Sequence, residues 1–313
     1  MNKMLILLIS ASLACATTKK ADSFNFDASI DTSLLRIHVN ALASLSPPRN
    51  AFNTASLNRA AAYIESTVVF IGCTFREQKY LVNNNEYKNI IASIGHGIKK
   101  SVVVGAHYDV ADGQPGADDN ASGIAGLLEI VRILKKYEAK LSRQFEIVFY
   151  TLEEPPYFNT NHMGSYVHAA SLADSGREIE LMVCLEMIGY YSNEKKSQTY
   201  PLGVLNWFYP SIGNFISAIG NYHSGRYTNQ ICRTINSYTK VPCRSLVAPG
   251  FIYGLSFSDH RNYWKHTMKA LMITDTAFFR NHNYHSSDDK PETLDYVKMA
   301  EVAKGVSLFL LTM

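Results

Sequence analysis

The most constraining feature of this chain is a histidine or a carboxylate at the end of one predicted strand after another. Three apolar, strand-like runs of the kind that is buried on both faces of a parallel sheet adjoin such a side chain. They are residues 100–105 before His107, residues 145–152 before Glu153 and Glu154, and residues 181–188 around Glu186. Ligands of parallel sheets gather at the carboxyl ends of the strands. The pattern therefore predicts a functional site at one edge of a sheet.

Helical periodicity separates these runs and sets the fold class. We predict helices at residues 33–45, 56–70, 121–136, 163–173 and 293–311, and further strands at 73–81, 87–94 and 270–274. The alternation of strand and helix predicts an α/β fold, a three-layer sandwich with a mostly parallel central sheet and helices on both faces. Residues 192–250 are less regular, and we interpret them as an insertion with a helix near 207–222 that forms one wall of a cleft.

The composition is that of an ordinary globular protein. The chain has 313 residues, of which 47% are hydrophobic and 18% charged, which is enough to bury one large core. The net charge of +3 is small and dispersed, and it gives no reason to expect nucleic acid as a partner. We predict a single domain over residues 17–313 that acts as a monomer.

The amino terminus has the three regions of a secretory signal. A basic start precedes the apolar residues 5–13 and the small residues Ala14 and Ala16, and the apolar run is too short to span a bilayer. We expect residues 1–16 to be a signal peptide and the protein to be exported, either periplasmic or secreted. Cys15 also resembles the cysteine of a lipoprotein box, so a lipid anchor is the alternative to a soluble mature form.

Export permits disulfides, and four cysteines remain after residue 16. Cys232 and Cys243 bracket a short segment that a bridge would close into a loop, so we predict a disulfide between them. The alternative is that all four are buried thiols, which the strand-like surroundings favour for Cys184.

The donor side chains suit two metal ions held a few ångströms apart. Such a pair needs a bridging carboxylate, and each ion then needs a histidine and a further carboxylate. Asp119 is the predicted bridge, because the tight turn at residues 116–123 can aim this carboxylate inward while Asp118 turns toward backbone or solvent. In isolation, simple helix capping explains this turn equally well. The remaining predicted ligands are His107 and Glu186 for one ion, and Glu154 and His285 for the other.

Two further carboxylates have predicted catalytic roles. Asp109 is placed to hold the second nitrogen of the His107 imidazole, which fixes its tautomer. Glu153 is left free of the metals, because consecutive residues at a strand end point in different directions. It can accept the proton of a water that attacks a carbonyl and return that proton to the leaving amine. The alternative, an exposed acidic pair, is disfavoured by Leu152 and by the prolines at 155–156.

Six motifs together resemble those of a known enzyme family. They are His-Tyr-Asp at 107–109, Gly-Ala-Asp-Asp-Asn-Ala-Ser-Gly at 116–123, Glu-Glu-Pro-Pro at 153–156, Leu-Glu-Met-Ile-Gly at 185–189, Ser-Asp-His at 258–260 and Asn-Tyr-His-Ser at 283–286. The series is similar to that of exported bacterial di-zinc aminopeptidases, which are related to glutamate carboxypeptidase and glutaminyl cyclase. The resemblance implies a phosphorylase/hydrolase-like zinc exopeptidase fold, two Zn²⁺ ions and hydrolysis of a peptide substrate. It implies the same ligand set, with Glu153 as base.

Glu186 departs from the family pattern, because many relatives have Asp at that position. The extra methylene of Glu moves the carboxylate, which affects whether the two metal sites are occupied equally. We exclude Asp259 and His260 as structural residues, and His282 as a loop histidine near His285. Tyr253 is a candidate oxyanion donor. Apolar side chains of the substrate are expected to contact an aromatic lining formed by Tyr157, Phe158, Phe251, Ile252 and Tyr253, for which core packing is the alternative.

Three functions remain open from the sequence. The first is removal of amino-terminal residues by a water activated by two zinc ions. The second is a single-zinc glutaminyl cyclase, which transfers a side-chain amide without water. The third is a binding module that retains the fold without catalysis, although such a protein is expected to lose the base or several ligands.

Overall fold

A computed structural model describes residues 26–98 and 100–313, so the predicted signal peptide and Cys15 lie outside the described residues. The helices are α1 (Thr32–Ala43), α2 (Thr54–Phe70), α3 (Gly123–Lys136), α4 (Gly164–Asp174), α5 (Gly225–Tyr238), α6 (His260–Lys265) and α7 (Tyr296–Leu311). The strands are β1 (Phe75–Val82), β2 (Asn85–Ile94), β3 (Ser101–His107), β4 (Gln144–Tyr150), β5 (Leu181–Glu186), β6 (Ile216–Gly220), β7 (Cys243–Val247) and β8 (Ala270–Thr274). No described helix has the length and apolarity needed to cross a membrane.

All eight strands belong to one sheet in the order β1-β2-β4-β3-β5-β8-β6-β7. The four central strands β4, β3, β5 and β8 are parallel, and β1 and β2 add an antiparallel hairpin at one side. At the other side β6 is antiparallel to β8 and parallel to β7. The predicted mostly parallel sheet is thus confirmed, and its central strands end at a common edge.

Two apolar layers cover the sheet, because successive side chains of a strand point to opposite faces. In β3, Val102 and Val104 pack into the larger core, under α1, α2, α3, α5 and α7, and Val103 packs into the smaller core, on the side of α4 and α6. The three-layer sandwich predicted from the sequence is confirmed.

The structure corrects the prediction of a helix near residues 207–222. Only a short 3₁₀ turn at Gly203–Trp207 is helical there, and Ile216–Gly220 is the buried strand β6. The apolar run of β6 is only five residues long, which periodicity cannot distinguish from a helical segment. The segment 192–250 therefore supplies two strands and helix α5 to the main sandwich.

The predicted Cys232–Cys243 disulfide is also wrong for this structure, because both residues are buried free thiols. The two thiols approach each other where α5 packs on β7. The Asn236 side chain closes the intervening loop instead: its amide nitrogen donates to the carbonyl oxygen of Cys243 (3.0 Å), and its oxygen accepts from the Cys243 amide (2.9 Å).

Arg49 joins the α1–α2 connection to the segment that leads into the acidic turn. Its buried guanidinium donates to four carbonyl oxygens, those of Leu42 (3.1 Å), Tyr108 (2.8 Å), Pro115 (2.6 Å) and Gly116 (2.7 Å). Burial lowers its pKa to about 10, so the side chain remains charged at neutral pH.

Replacement of Arg49 by Met should lower the free energy of unfolding by about 3 to 5 kcal/mol, because four carbonyl groups, three of them in buried hydrogen bonds, lose their donor. Urea unfolding monitored by circular dichroism measures the change. The matched substitution of the exposed Arg226 by Met should change stability by less than about 0.5 kcal/mol. Equal effects of the two substitutions would contradict this role for Arg49.

Candidate metal centre

The five predicted ligands converge at the edge where the central strands end. His107 and Glu186 are the last residues of β3 and β5, and Glu154 lies four residues beyond β4. Asp119 lies in the turn before α3, and His285 lies in the loop between β8 and α7. All except His285 are at most 7% exposed, and the His285 side chain is 30% exposed.

The donor atoms form two groups that share Asp119. The Nε2 atom of His107 lies 3.4 Å from Asp119 Oδ1 and 3.4 Å from Glu186 Oε2. The Nε2 atom of His285 lies 3.2 Å from Asp119 Oδ2 and 3.2 Å from Glu154 Oε2. Each oxygen of Asp119 therefore approaches a different histidine.

These distances fit the donor set of a metal ion. Zinc binds nitrogen and oxygen at about 2.0 to 2.2 Å, so two tetrahedral ligands lie about 3.4 Å apart. His107 Nε2 and Glu154 Oε1 are buried and have no hydrogen-bond partner among the described residues. Donor atoms of His107, Asp119 and Glu154 also lie within 4.8 Å of one another. The residues present thus fit a metal centre.

The electrostatics of the cluster favour positive charge. Burial lowers the pKa of both imidazoles, but the surrounding carboxylates more than offset it. The pKa of His285 rises to about 10 beside Asp119 and Glu154, and that of His107 rises well above its ordinary value beside Glu186. Burial and the neighbouring Asp119 carboxylate raise the pKa of Glu154 to about 8, and the His285 imidazole offsets them only in part.

Glu153 lies beside the histidine–carboxylate groups but outside both. It is 6% exposed, and its Oε2 atom is 4.0 Å from His107 Nε2. Burial raises its pKa well above the ordinary range, and the nearby Glu154 and Glu186 act in the same direction. The exposed acidic pair considered from the sequence is wrong, since Glu153 and Glu154 are both buried.

Asp109 supports the site differently from the prediction. The His107 Nδ1 atom contacts the backbone carbonyl of Asp109 at 3.2 Å, and the Asp109 carboxylate is 3.6 Å away. That carboxylate instead accepts from the backbone amides of Glu153 (3.2 Å) and Glu154 (3.1 Å). Asp109 therefore positions the segment that carries the proposed base, in addition to the imidazole.

The acidic turn depends on Gly116 and on its polar side chains. Gly116 has φ +60°, and a Cβ atom there would lie 2.2 Å from Val110 Cγ1. Asp118 is buried and faces backbone, as predicted, since its carboxylate accepts from the Gly189 amide (2.9 Å) and from Asn281 Nδ2 (2.8 Å). Asn120 accepts from the Met187 amide (3.0 Å) and thereby ties the turn to the end of β5.

Sequence reasoning did not identify two supporting residues. Ser258 Oγ donates to Glu186 Oε2 at 2.6 Å, and the Asp289 carboxylate accepts from the amides of Asp118 (2.8 Å) and Asp119 (3.1 Å). Ser258 belongs to the quoted Ser-Asp-His motif, which was the available signal for it. Asp289 belongs to no motif, and only the tertiary structure brings it to the turn.

The excluded histidines lie outside the cluster. His260 is buried, with its Nε2 atom 2.8 Å from the carbonyl oxygen of Leu255. His282 is exposed.

A cleft of about 670 Å³ opens over the site, and Phe158 and Tyr253 are the two members of the expected aromatic lining that contact it. Tyr157 and Ile252 pack with the two cores instead, and Phe251 is 80% exposed.

Comparison with known proteins places this geometry in a family. The chain is 44% identical over 271 residues to the uncharacterized protein YfbL of Escherichia coli, covering 84% of this chain and 82% of YfbL. It is 26% identical to a probable leucine aminopeptidase of Arthroderma otae, covering 72% of this chain and 57% of that protein, so it spans little more than half of the fungal relative.

The fold is shared with a solved structure of the LapA aminopeptidase of Legionella pneumophila. The TM-score is 0.69 at 21% identity, over 90% of this chain and 71% of LapA. Residues 89–310, most of the chain and all of the donor cluster, match the model of Peptidase family M28. The chain therefore belongs to peptidase family M28 and is a metallopeptidase.

Proposed function

We propose that the protein is an aminopeptidase with two zinc ions. The observation that carries this proposal is the position of Asp119, whose two oxygens lie 3.4 and 3.2 Å from two different histidines. His107 and Glu186 would hold one ion with Asp119, and His285 and Glu154 would hold the other. The charge count supports two ions, because two divalent cations balance the four carboxylates at positions 119, 153, 154 and 186.

The bound ions would polarise the substrate carbonyl and lower the pKa of a water toward neutrality. Glu153 is the chain's own contribution to the chemistry. It lines the cleft. Its Oε2 atom is 4.0 Å from His107 Nε2, whereas Asp119 oxygens lie 3.4 and 3.2 Å from the two imidazoles. A buried carboxyl group of raised pKa can accept a proton and then deliver it to the leaving amine.

Cleavage at the amino terminus is supported by the open cleft and by relatives. The cleft lies over the proposed ligands and the base, so the end of a peptide can enter it. The A. otae relative is named as a probable leucine aminopeptidase. Tyr253 lines the same cleft and remains our candidate oxyanion donor.

The proposed location follows from residues 1–16. Their basic, apolar and small-residue regions fit a signal for export to the periplasm or the medium, with a lipid anchor at Cys15 as the alternative. We propose a monomeric enzyme.

The substitution Glu153→Gln should reduce kcat by about 10²- to 10⁴-fold while leaving zinc content and melting temperature unchanged, because the amide cannot take the proton. Release of p-nitroaniline from leucine p-nitroanilide measures the rate. The exposed Glu178 changed to Gln is the matched control and should retain full activity. Wild-type turnover by the Glu153 variant would refute its assignment as the base.

The metal count separates the aminopeptidase from a glutaminyl cyclase. Elemental analysis after zinc saturation should give two zinc ions per chain, and a chelator should abolish release of free amino acids from dipeptides. One zinc ion per chain, together with formation of pyroglutamate from glutaminyl peptides, would favour the cyclase. Unchanged hydrolysis after complete metal removal would contradict both functions.

The substitution Asp109→Asn should weaken zinc binding by about 10- to 100-fold, because a neutral amide holds the 153–154 amides and the imidazole less well than a carboxylate. Titration against a chromogenic zinc chelator measures the affinity, and circular dichroism checks that the variant is folded. The exposed Asp174 changed to Asn serves as control. An affinity equal to that of the control would show that Asp109 has no positioning role.

A further inference from the structure

A second recess, which we call the side recess, lies next to the cleft. It shares four lining residues with the cleft, namely Glu186, Phe257, Phe278 and Tyr284. A substrate group that passes these shared side chains from the metal centre would enter the side recess.

The floor of the side recess is one face of the sheet. Glu186 of β5 pairs with Thr274 of β8, Thr274 pairs with Ser217 of β6, and Ser217 pairs with Arg244 of β7. All four line the recess, so they form one row across four neighbouring strands. Because neighbouring strands lie about 4.8 Å apart, the Cα atom of Arg244 is about 14 Å from that of Glu186.

Most of the lining of the side recess is apolar. The next row of the sheet supplies Met272, Ile219 and Leu246, which are paired in register on β8, β6 and β7. Phe257 and Phe278 contribute two of the walls. A group that crosses this region needs an apolar body, such as a chain of methylenes.

Two hydrogen-bond donors at the far end are available for a ligand. In the described part of the chain, Arg244 is within 4 Å of no carboxylate, and its one hydrogen bond is a 3.5 Å contact with the carbonyl of Cys243. Ser217 is 7% exposed, and its hydroxyl makes no hydrogen bond to another described residue. Arg244 lies on the outer strand and is exposed, whereas the buried Arg49 and Arg280 are bonded to carbonyl and amide oxygens.

We infer that the side recess binds a carboxylate group of the substrate, held by the Arg244 guanidinium with the Ser217 hydroxyl. A guanidinium matches the planar geometry of a carboxylate, and their charge-assisted hydrogen bonds are stronger than neutral ones. The inference rests on the proposed peptidase function. Two sources carry the same chemistry: an acidic side chain at the amino terminus of the substrate, or the terminal carboxylate of a dipeptide.

Specificity constants on matched substrates test the proposal. Glutamate p-nitroanilide is compared with glutamine p-nitroanilide, which has the same shape without the charge, and Leu-Leu is compared with its carboxyl-terminal amide. In at least one of these pairs, the wild-type enzyme should prefer the substrate that carries the additional carboxylate. In Arg244→Met, that preference should fall about 10- to 100-fold, and in Ser217→Ala by a smaller factor.

The pair that responds identifies the source of the carboxylate. Loss of the Glu/Gln ratio assigns it to the side chain, and loss of the acid/amide ratio assigns it to the peptide end. The control is Arg233→Met, because Arg233 is an exposed residue of α5, on the opposite face of the sheet. If both ratios in Arg244→Met stay within twofold of those in the control, the proposal is overturned.

A binding measurement keeps this test separate from that of the peptidase function. Calorimetry on zinc-loaded Glu153→Gln, with and without Arg244→Met, compares the dipeptides Glu-Leu and Gln-Leu and then Leu-Leu and its amide. If binding prefers the carboxylate through Arg244 but the wild type hydrolyses no substrate, carboxylate binding in the side recess is supported and the aminopeptidase function is rejected. If the wild type hydrolyses leucine p-nitroanilide but neither assay shows a preference that depends on Arg244, the aminopeptidase function is supported and carboxylate binding in the side recess is rejected.

Discussion

The structure depends on keeping several carboxylates together, largely buried, at the bottom of the cleft. Asp119, Glu153, Glu154 and Glu186 are all at most 7% exposed, and a buried carboxylate is costly unless cations or hydrogen-bond donors surround it. Two imidazoles face them, and the pKa of each imidazole is raised by that proximity. The need for compensating positive charge explains both the geometry of the cluster and its fit to metal ions.

A second set of polar groups holds this arrangement in place through the backbone. Asp109 binds the amides of residues 153 and 154, Asp118 binds that of Gly189, and Asp289 binds those of residues 118 and 119. Each carboxylate joins two segments that are distant in sequence. The ligands are therefore positioned mainly by hydrogen bonds from main-chain amides near the strand ends to these carboxylates.

Much of the site was predictable because parallel strands end at a common edge. The runs before His107 and Glu153 and around Glu186 have the apolar continuity of buried strands, so their terminal residues were expected to meet. The helix near residues 207–222 was wrong because β6 is too short to show a period. The role of Asp109 and the hydrogen bond from Ser258 to Glu186 involve contacts across 44 and 72 residues, which no local pattern encodes. The Cys232–Cys243 disulfide was inferred from spacing alone, and spacing does not reveal that Asn236 already closes the loop.

The row of residues from Glu186 to Arg244 begins at a central strand and ends on β7, the last strand of the sheet. A side chain on an outer strand has few packing constraints, whereas one on β5 is enclosed on both sides. Substitutions at position 244 can accumulate during divergence without disturbing the ions or the base. A related chain can therefore change its substrate preference through substitutions on this outer strand, while the metal ligands and the base stay the same.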